Sequence, residues 1–243
     1  MDLRESRNLT HQMVHDLGVA VISGKYSNET GLPSEAALCE QYKLSRTATR
    51  EAVKMLTAKG LISSRPRQGI SVSPESQWNL FDADLLQWIM LSRPSTKLLH
   101  EFTEMRIAFE PEAAGLAAQR RSEGCISHIE HALTRMSQAE KGFDDPLDSD
   151  IAFHAAVLTA SQNRFFIQLK TFVSTALGVS IQLTNRVKGV PGGDVEAHAR
   201  VLEAIKKGDV DVARHEMREM LIEVSSLISK AEQLKTAPLD KTS

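Results

Sequence analysis

Leu32–Val72 reads LPSEAALCEQYKLSRTATREAVKMLTAKGLISSRPRQGISV, and the reading of this stretch decides the fold. Pro33 and Ser34 open a short helix, with Ser34 placed as its N-cap. Lys43-Leu44 forms a tight turn. Ser45 caps a second helix, SRTATREAVKMLTAK, and Gly60 stops it. Within that helix Ala52, Val53 and Leu56 recur at helical spacing and define a buried face, while Arg46, Thr47 and Arg50 crowd its first two turns. Leu61–Arg65 and Ile70–Ser73 then read as two short strands around Pro66-Arg67-Gln68-Gly69, a hairpin with glycine at the tight position. Helix, turn, helix and a two-stranded wing make a winged helix-turn-helix.

Charge agrees with this reading. Between Ser45 and Arg67 lie Arg46, Arg50, Lys54, Lys59, Arg65 and Arg67 against the single acid Glu51, a local net of +5 in a chain whose formal charge is −2. A charge run by itself describes a solvated face. Joined to the helix spacing and the hairpin, it becomes the electrostatic footprint of phosphate-backbone contact.

The bulk of the chain narrows the rest. At 243 residues, one large domain or two smaller ones is the natural range. The apolar fraction of 42% and charged fraction of 25% are those of an ordinary globular protein. Cys39 and Cys125 are the only cysteines and fall in different proposed domains, so they build neither a disulfide framework nor a cysteine metal site, and the chain suits a reducing cytoplasm. The first twenty residues carry Asp2, Arg4, Glu5, Arg7 and Asp16 without the apolar core of a signal peptide. The densest apolar run, Leu85–Leu91, is too short to span a bilayer.

Along the chain, Thr10–Ser23 reads as the first helix. His11 and His15 on it lack the glutamate of a zinc-protease motif, Gln12 standing in its place, and read as a surface pair. The winged unit occupies residues 1–74, and residues 75–94 form a linker and junction helix. That segment holds both tryptophans, Trp78 and Trp88, which are expected to pack the junction between two domains. From 95 to 235 every periodic segment is helical. The segments are 95–120, 122–140, 146–161, 163–187, 194–207 and 209–234, giving an all-α bundle of six or seven helices; 236–243 is a disordered tail. Leu98, Phe102, Met105, Phe109, Ala113 and Leu116 share one stripe of 95–120, and Pro111 predicts a kink or break there.

Some polar residues sit where the periodicity demands apolar ones. Phe153, Val157 and Leu158 define the face of 146–161, and Asp150 and His154 lie inside it, one turn apart. His198 is centred on the face formed by Val195, Val201, Leu202 and Ile205. A carboxylate turned into a core needs a partner. Asp150, His154 and His198 are a workable set for a divalent metal, zinc or similar. A buried Asp–His hydrogen bond without metal is the alternative. His100, His128, His131 and His215 read as surface residues.

The runs P-S-E-x-x-L, S-R-T-x-x-R-E-A, L-x-x-x-G-L-I and R-Q-G in the first third of the chain resemble the DNA-binding domain of the GntR family of bacterial transcription factors. Glu104–Ala118, Asp150–His154 and His198–Asp209 resemble the helical FCD effector domain of its FadR-type branch. The resemblance implies DNA contacts by Ser45, Arg46, Thr47 and Arg50, with Arg67, Gln68 and Gly69 at the wing. Ala36 departs from the arginine usual after P-S-E. For the second domain it implies metal ligation by Asp150, His154 and His198, and a carboxylate effector anchored by Arg106. Met220 stands where a fourth histidine is common. The segment QWNLFDADLLQW resembles sugar-acid regulators of that branch, which points to a hexonate or hexuronate. The expected protein is a cytoplasmic repressor, a homodimer on double-stranded operator DNA, because one helix and wing read only a few base pairs. A metal-dependent sugar-acid enzyme fused to a DNA-binding domain is the rival. Glu216 and Glu223, flanking the Met220 stripe, are its only candidate bases, Asp150 and the histidines being used as ligands.

Overall fold

The computed structural model describes residues 3–65, 68–93, 95–188 and 193–236. The chain divides into two compact units, Met1–Pro94 and Ser95–Ser243.

The first unit holds α1 (Leu3–Ile22), α2 (Glu35–Tyr42), α3 (Arg46–Ala58), the hairpin β1 (Ile62–Arg65) and β2 (Gly69–Val72), and α4 (Ala83–Ser92). α1 begins earlier than its apolar periodicity suggests. Local chemistry sets the other ends. The Ser34 hydroxyl accepts from Ala37 N and that of Ser45 from Ala48 N, each at 3.2 Å, so each satisfies one orphan amide of a first turn. Lys43 closes α2 in the left-handed region at φ 53°. Gly60 follows α3 at φ 77°, and a Cβ there would also strike the Gln77 carbonyl. β1 and β2 pair antiparallel in the register Ile62↔Val72 to Arg65↔Gly69. Met13, Leu17, Ile22, Leu38, Ala52, Leu56 and Leu61 are all completely buried and form the core of this unit.

α4 is not a free-standing junction. Leu85, Leu86, Trp88, Ile89 and Met90 are buried, and the helix packs on α1. Trp88 lies edge-on to His15 and over Gly18, while the Trp78 indole N–H donates to the Ser73 carbonyl at 3.2 Å. Both tryptophans thus find partners inside the first unit, where their large apolar area closes a small core. A Cβ at Gly18 would approach Trp88 Cε3 to 2.6 Å. Gly18→Ala gains about 1 kcal/mol of helix propensity, but overpacking of this kind costs about 1–3 kcal/mol. The variant is expected to lower Tm, and a raised Tm in thermal denaturation would contradict the packing.

The second unit comprises α5 (Thr96–Arg120), α6 (Glu123–Glu140), α7 (Pro146–Ala160), the short α8 (Arg164–Gln168), α9 (Lys170–Lys188), α10 (Val195–Lys207) and α11 (Val210–Thr236). These are seven helices among the described residues. The expected 163–187 helix is split at Leu169 into α8 and α9. Pro111 neither ends nor splits α5. It removes one ladder hydrogen bond, while Phe109, Ala113, Ala114 and Ala117 on either side of it are buried and hold the helix in place. α5 packs along α11 and also meets α7 and α10, so its buried face is broader than one stripe. Leu98, Met105 and Leu116 are only half-buried, and Leu99, Thr103, Arg106 and Glu110 are inside instead. The loop expected at Gly189–Gly193 lies outside the described residues up to Gly192, as does the tail from Ala237. No helix of the described residues is long and apolar enough to cross a membrane.

Candidate nucleic-acid interface and buried metal-ligand cluster

α3 carries its polar residues as the spacing requires. Arg46, Thr47 and Arg50 are exposed on its first two turns, and Thr49 turns inward to meet the Cys39 thiol at 3.2 Å. The Ser45 hydroxyl is spent on the helix cap. Arg50 Nε donates to the Glu35 carboxylate at 3.2 Å, and the side chain is otherwise largely exposed. Gln68 and Gly69 are exposed at the wing, with Gly69 at φ 80°; Arg67 lies outside the described residues. Lys59 does not belong to this basic face. It is 7% exposed and donates to Asp82 at 2.7 Å and Asp84 at 2.8 Å at the start of α4. Burial alone would lower its pKa, but the two carboxylates outweigh that and raise it. Its charge is an internal tie.

The second unit gathers Asp150 and His154 from α7 with His198 from α10. Each exposes 4% or less of its surface, and their ligating atoms lie within 4.8 Å of one another. His154 Nε2 is 3.4 Å and His198 Nε2 3.8 Å from Asp150 Oδ1. The opposite nitrogen of each ring is already committed. His198 Nδ1 stands 2.6 Å from the Asp194 backbone carbonyl, which can only accept, so Nδ1 carries the proton. His154 Nδ1 stands 2.7 Å from Glu110 Oε2. Burial would raise the Glu110 carboxyl, but Arg106 and His154 bring it down to about 2, so it is ionised and also only accepts. Burial would likewise raise Asp150, yet His154 and His198 hold it well below the usual carboxylate range. His154 moves the other way: burial depresses it, the Glu110 carboxylate overrides this, and its pKa is raised.

This donor set fits a divalent cation. His198 Nε2 is buried without a hydrogen-bond partner, an expensive condition unless something takes its lone pair. Both committed Nδ1 protons leave Nε2 facing Asp150. Gly193 makes room beside the cluster, since a Cβ there would collide with Asp150 Oδ2. Two zinc ligands at a tetrahedral angle sit about 3.4 Å apart; the Asp150–His154 edge already has that length, and the Asp150–His198 edge, at 3.8 Å, is longer.

Around the cluster lies a small cavity of about 40 Å³. Arg106, Ser180 and Glu223 contribute polar groups to it, and Met220, Leu177 and Val224 apolar ones. Arg106 is less available than the sequence suggests. Its Nε donates to Glu110 Oε1 at 2.6 Å and its Nη2 to Oε2 at 3.3 Å, and both residues are 1% exposed. Glu110 is the member that sequence reasoning missed. Its signal was present: Arg106 and Glu110 are four apart, and helical spacing sets them side by side at the edge of the apolar stripe. Glu216, a candidate base, is tied to Arg200 at 2.8 Å.

Two family models match the chain. Residues 9–72 match bacterial regulatory proteins of the gntR family, and residues 101–223 match the FCD domain. The Escherichia coli K12 protein described as the uncharacterized HTH-type transcriptional regulator YieP is 33% identical over 87% of this chain and 91% of its own length. The galactonate operon transcriptional repressor of the same organism is 32% identical over 88% of this chain and 94% of its own. Among solved structures, Lar, which controls the expression of the Listeria monocytogenes agr system, is 17% identical. It covers 90% of this chain and 96% of its own with a TM-score of 0.55, a likeness of fold.

Proposed function

The chain belongs to the gntR family of bacterial regulatory proteins and carries an FCD domain, and from this we propose that it is a homodimeric repressor of a sugar-acid catabolic operon, released from DNA by a small carboxylate. One observation carries the proposal: Asp150, His154, His198 and Arg106 converge on a single cavity in the FCD unit. The similarity to the galactonate operon repressor supports a sugar acid as the effector.

Asp150, His154 and His198 would hold a divalent cation, which would supply a fixed positive charge with positions left for oxygen ligands. Arg106 adds a weaker anchor. Glu110 already occupies its Nε–Nη2 edge, which leaves the Nη1 hydrogens and the second Nη2 hydrogen for the effector carboxylate. Met220 lines the same cavity, and a thioether is a poor ligand for a hard or borderline ion. Met220→His is therefore expected to tighten metal binding, measured by competition with a chelator; unchanged affinity would remove Met220 from the shell. The effector stabilises the off-DNA state by binding it better than the DNA-bound one. Fluorescence anisotropy of an operator fragment, titrated with hexonates and hexuronates in the presence of zinc, tests the proposal. Release of DNA by one of them is expected. Turnover of the acid, or no release by any carboxylate, would sink it.

Ser45, Arg46, Thr47 and Arg50 on the recognition helix, with Arg67, Gln68 and Gly69 at the wing, form the proposed DNA face. The exposed Arg50, whose terminal nitrogens remain as donors beside its Nε–Glu35 bond, suits the O6/N7 edge of guanine. Arg50→Ala is expected to cost about 1–3 kcal/mol in operator binding, roughly 5- to 150-fold in Kd, while leaving non-specific binding far less affected. Equal loss on operator and random DNA would reduce Arg50 to a phosphate contact. Of the two candidate bases of the rival enzyme reading, Glu223 lines the cavity and Glu216 does not. Glu216 is ion-paired with Arg200 and Glu110 is held at about pKa 2, which leaves Glu223 of those candidates, and the families that match are those of transcription regulators.

A further inference from the structure

We propose that Glu110 is the positioning residue that makes His154 a metal ligand, an inference that rests on the metal centre proposed above. The two histidines are prepared for ligation in different ways. His198 is oriented by a backbone carbonyl, that of Asp194. His154 is oriented by a side chain from another helix: Glu110 of α5, 1% exposed, whose Oε2 lies 2.7 Å from Nδ1. An ionised carboxylate has only lone pairs to offer, so it fixes the proton on Nδ1 and leaves Nε2 toward Asp150. A carboxylate on the far nitrogen also raises the basicity of the ligating one.

Arg106 meets the same ring from its face. Its Nη2 lies 3.1 Å from His154 Nε2 and 3.2 Å from Nδ1, so it stands over the imidazole rather than along either in-plane lone pair. The Nε2 lone pair is left to a metal, and the Nδ1 proton to Glu110. Remove the charge of Glu110, and Nδ1 faces a weaker acceptor, which lowers the basicity of Nε2. A carboxylate that served only to neutralise the arginine would leave the Nδ1–H hydrogen bond unchanged.

The test is Co²⁺ titration of the full-length protein, followed by the visible absorption of the bound ion and by competition with a chelator. Glu110→Gln keeps the shape and an acceptor oxygen but removes the charge. It is expected to weaken Co²⁺ binding about 10- to 100-fold. Arg106→Met in the Glu110→Gln background leaves Nδ1 with the same weak acceptor and is expected to keep Co²⁺ binding weaker than in the wild type. A low-field, exchange-protected His154 Nδ1–H resonance, assigned by its loss in His154→Asn, should move upfield in Glu110→Gln. Wild-type affinity in Glu110→Gln would overturn the role of Glu110 while leaving the metal centre standing. Failure of the wild-type protein itself to take up Co²⁺ would overturn the centre and this role with it. If Glu110→Gln does not fold, the double variant decides: metal affinity equal to wild type refutes the proposal, and weakened affinity supports it.

Discussion

Purified His198→Ala is expected to retain no stoichiometric metal and to stay bound to operator DNA at effector concentrations that release the wild type. In the proposed centre His198 is one of three protein ligands among the described residues, and its Nε2 is buried without a hydrogen-bond partner. Disturbing an outer partner of a ligating histidine already costs about 10- to 100-fold in affinity, so deletion of the histidine itself should exceed about 100-fold. The DNA-binding unit folds around its own core, and the substitution lies in the other compact unit. Operator affinity in the absence of effector should therefore match the wild type within about twofold. Elemental analysis and anisotropy on the same preparations check both halves. A full effector response in His198→Ala, or in chelator-stripped wild type, would reduce Asp150, His154 and His198 to a buried hydrogen-bond cluster.

Arg106→Met should lose about 3 kcal/mol of stability in the absence of metal. Methionine nearly preserves the volume, so the cost is electrostatic: Glu110, 1% exposed, keeps its charge and loses the guanidinium that holds it at both oxygens. Breaking a buried pair from one side costs about 3–5 kcal/mol. The lower end applies because His154 Nδ1 still reaches Glu110. Arg106→Met/Glu110→Gln should recover most of the loss, since neither residue then leaves a buried charge unpaired and the amide oxygen still accepts from His154 Nδ1. Urea denaturation reads the difference as a shift of Cm at constant m. A single variant as stable as wild type would mean that water or another cation reaches Glu110. A double variant no better than the single would mean that packing, not charge, holds α5 at this point.

The winged helix-turn-helix was legible because its determinants are local. Ser34 and Ser45 cap helices through amides three residues on, Gly60 ends α3 at a left-handed φ, and the strands Ile62–Arg65 and Gly69–Val72 pair across a short turn. Each of these is decided within a few residues, and periodicity reads that range. The helical nature of the second unit, and the odd placement of Asp150, His154 and His198 on apolar faces, were legible for the same reason. What the periodicity could not carry is which face meets which. Lys59 reads as a surface cation until Asp82 and Asp84, more than twenty residues on, fold against it. The tryptophans read as a junction until α4 lies down on α1. Arg106 reads as a free anchor, although the residue that occupies it is on its own helix. Glu110 becomes visible as a partner only when His154, 44 residues away, arrives to share the same carboxylate. Burial makes such pairings strong and also hides them, because the energy of a charge depends on what surrounds it in space. Only the packing of α5 against α7 decides that for Glu110.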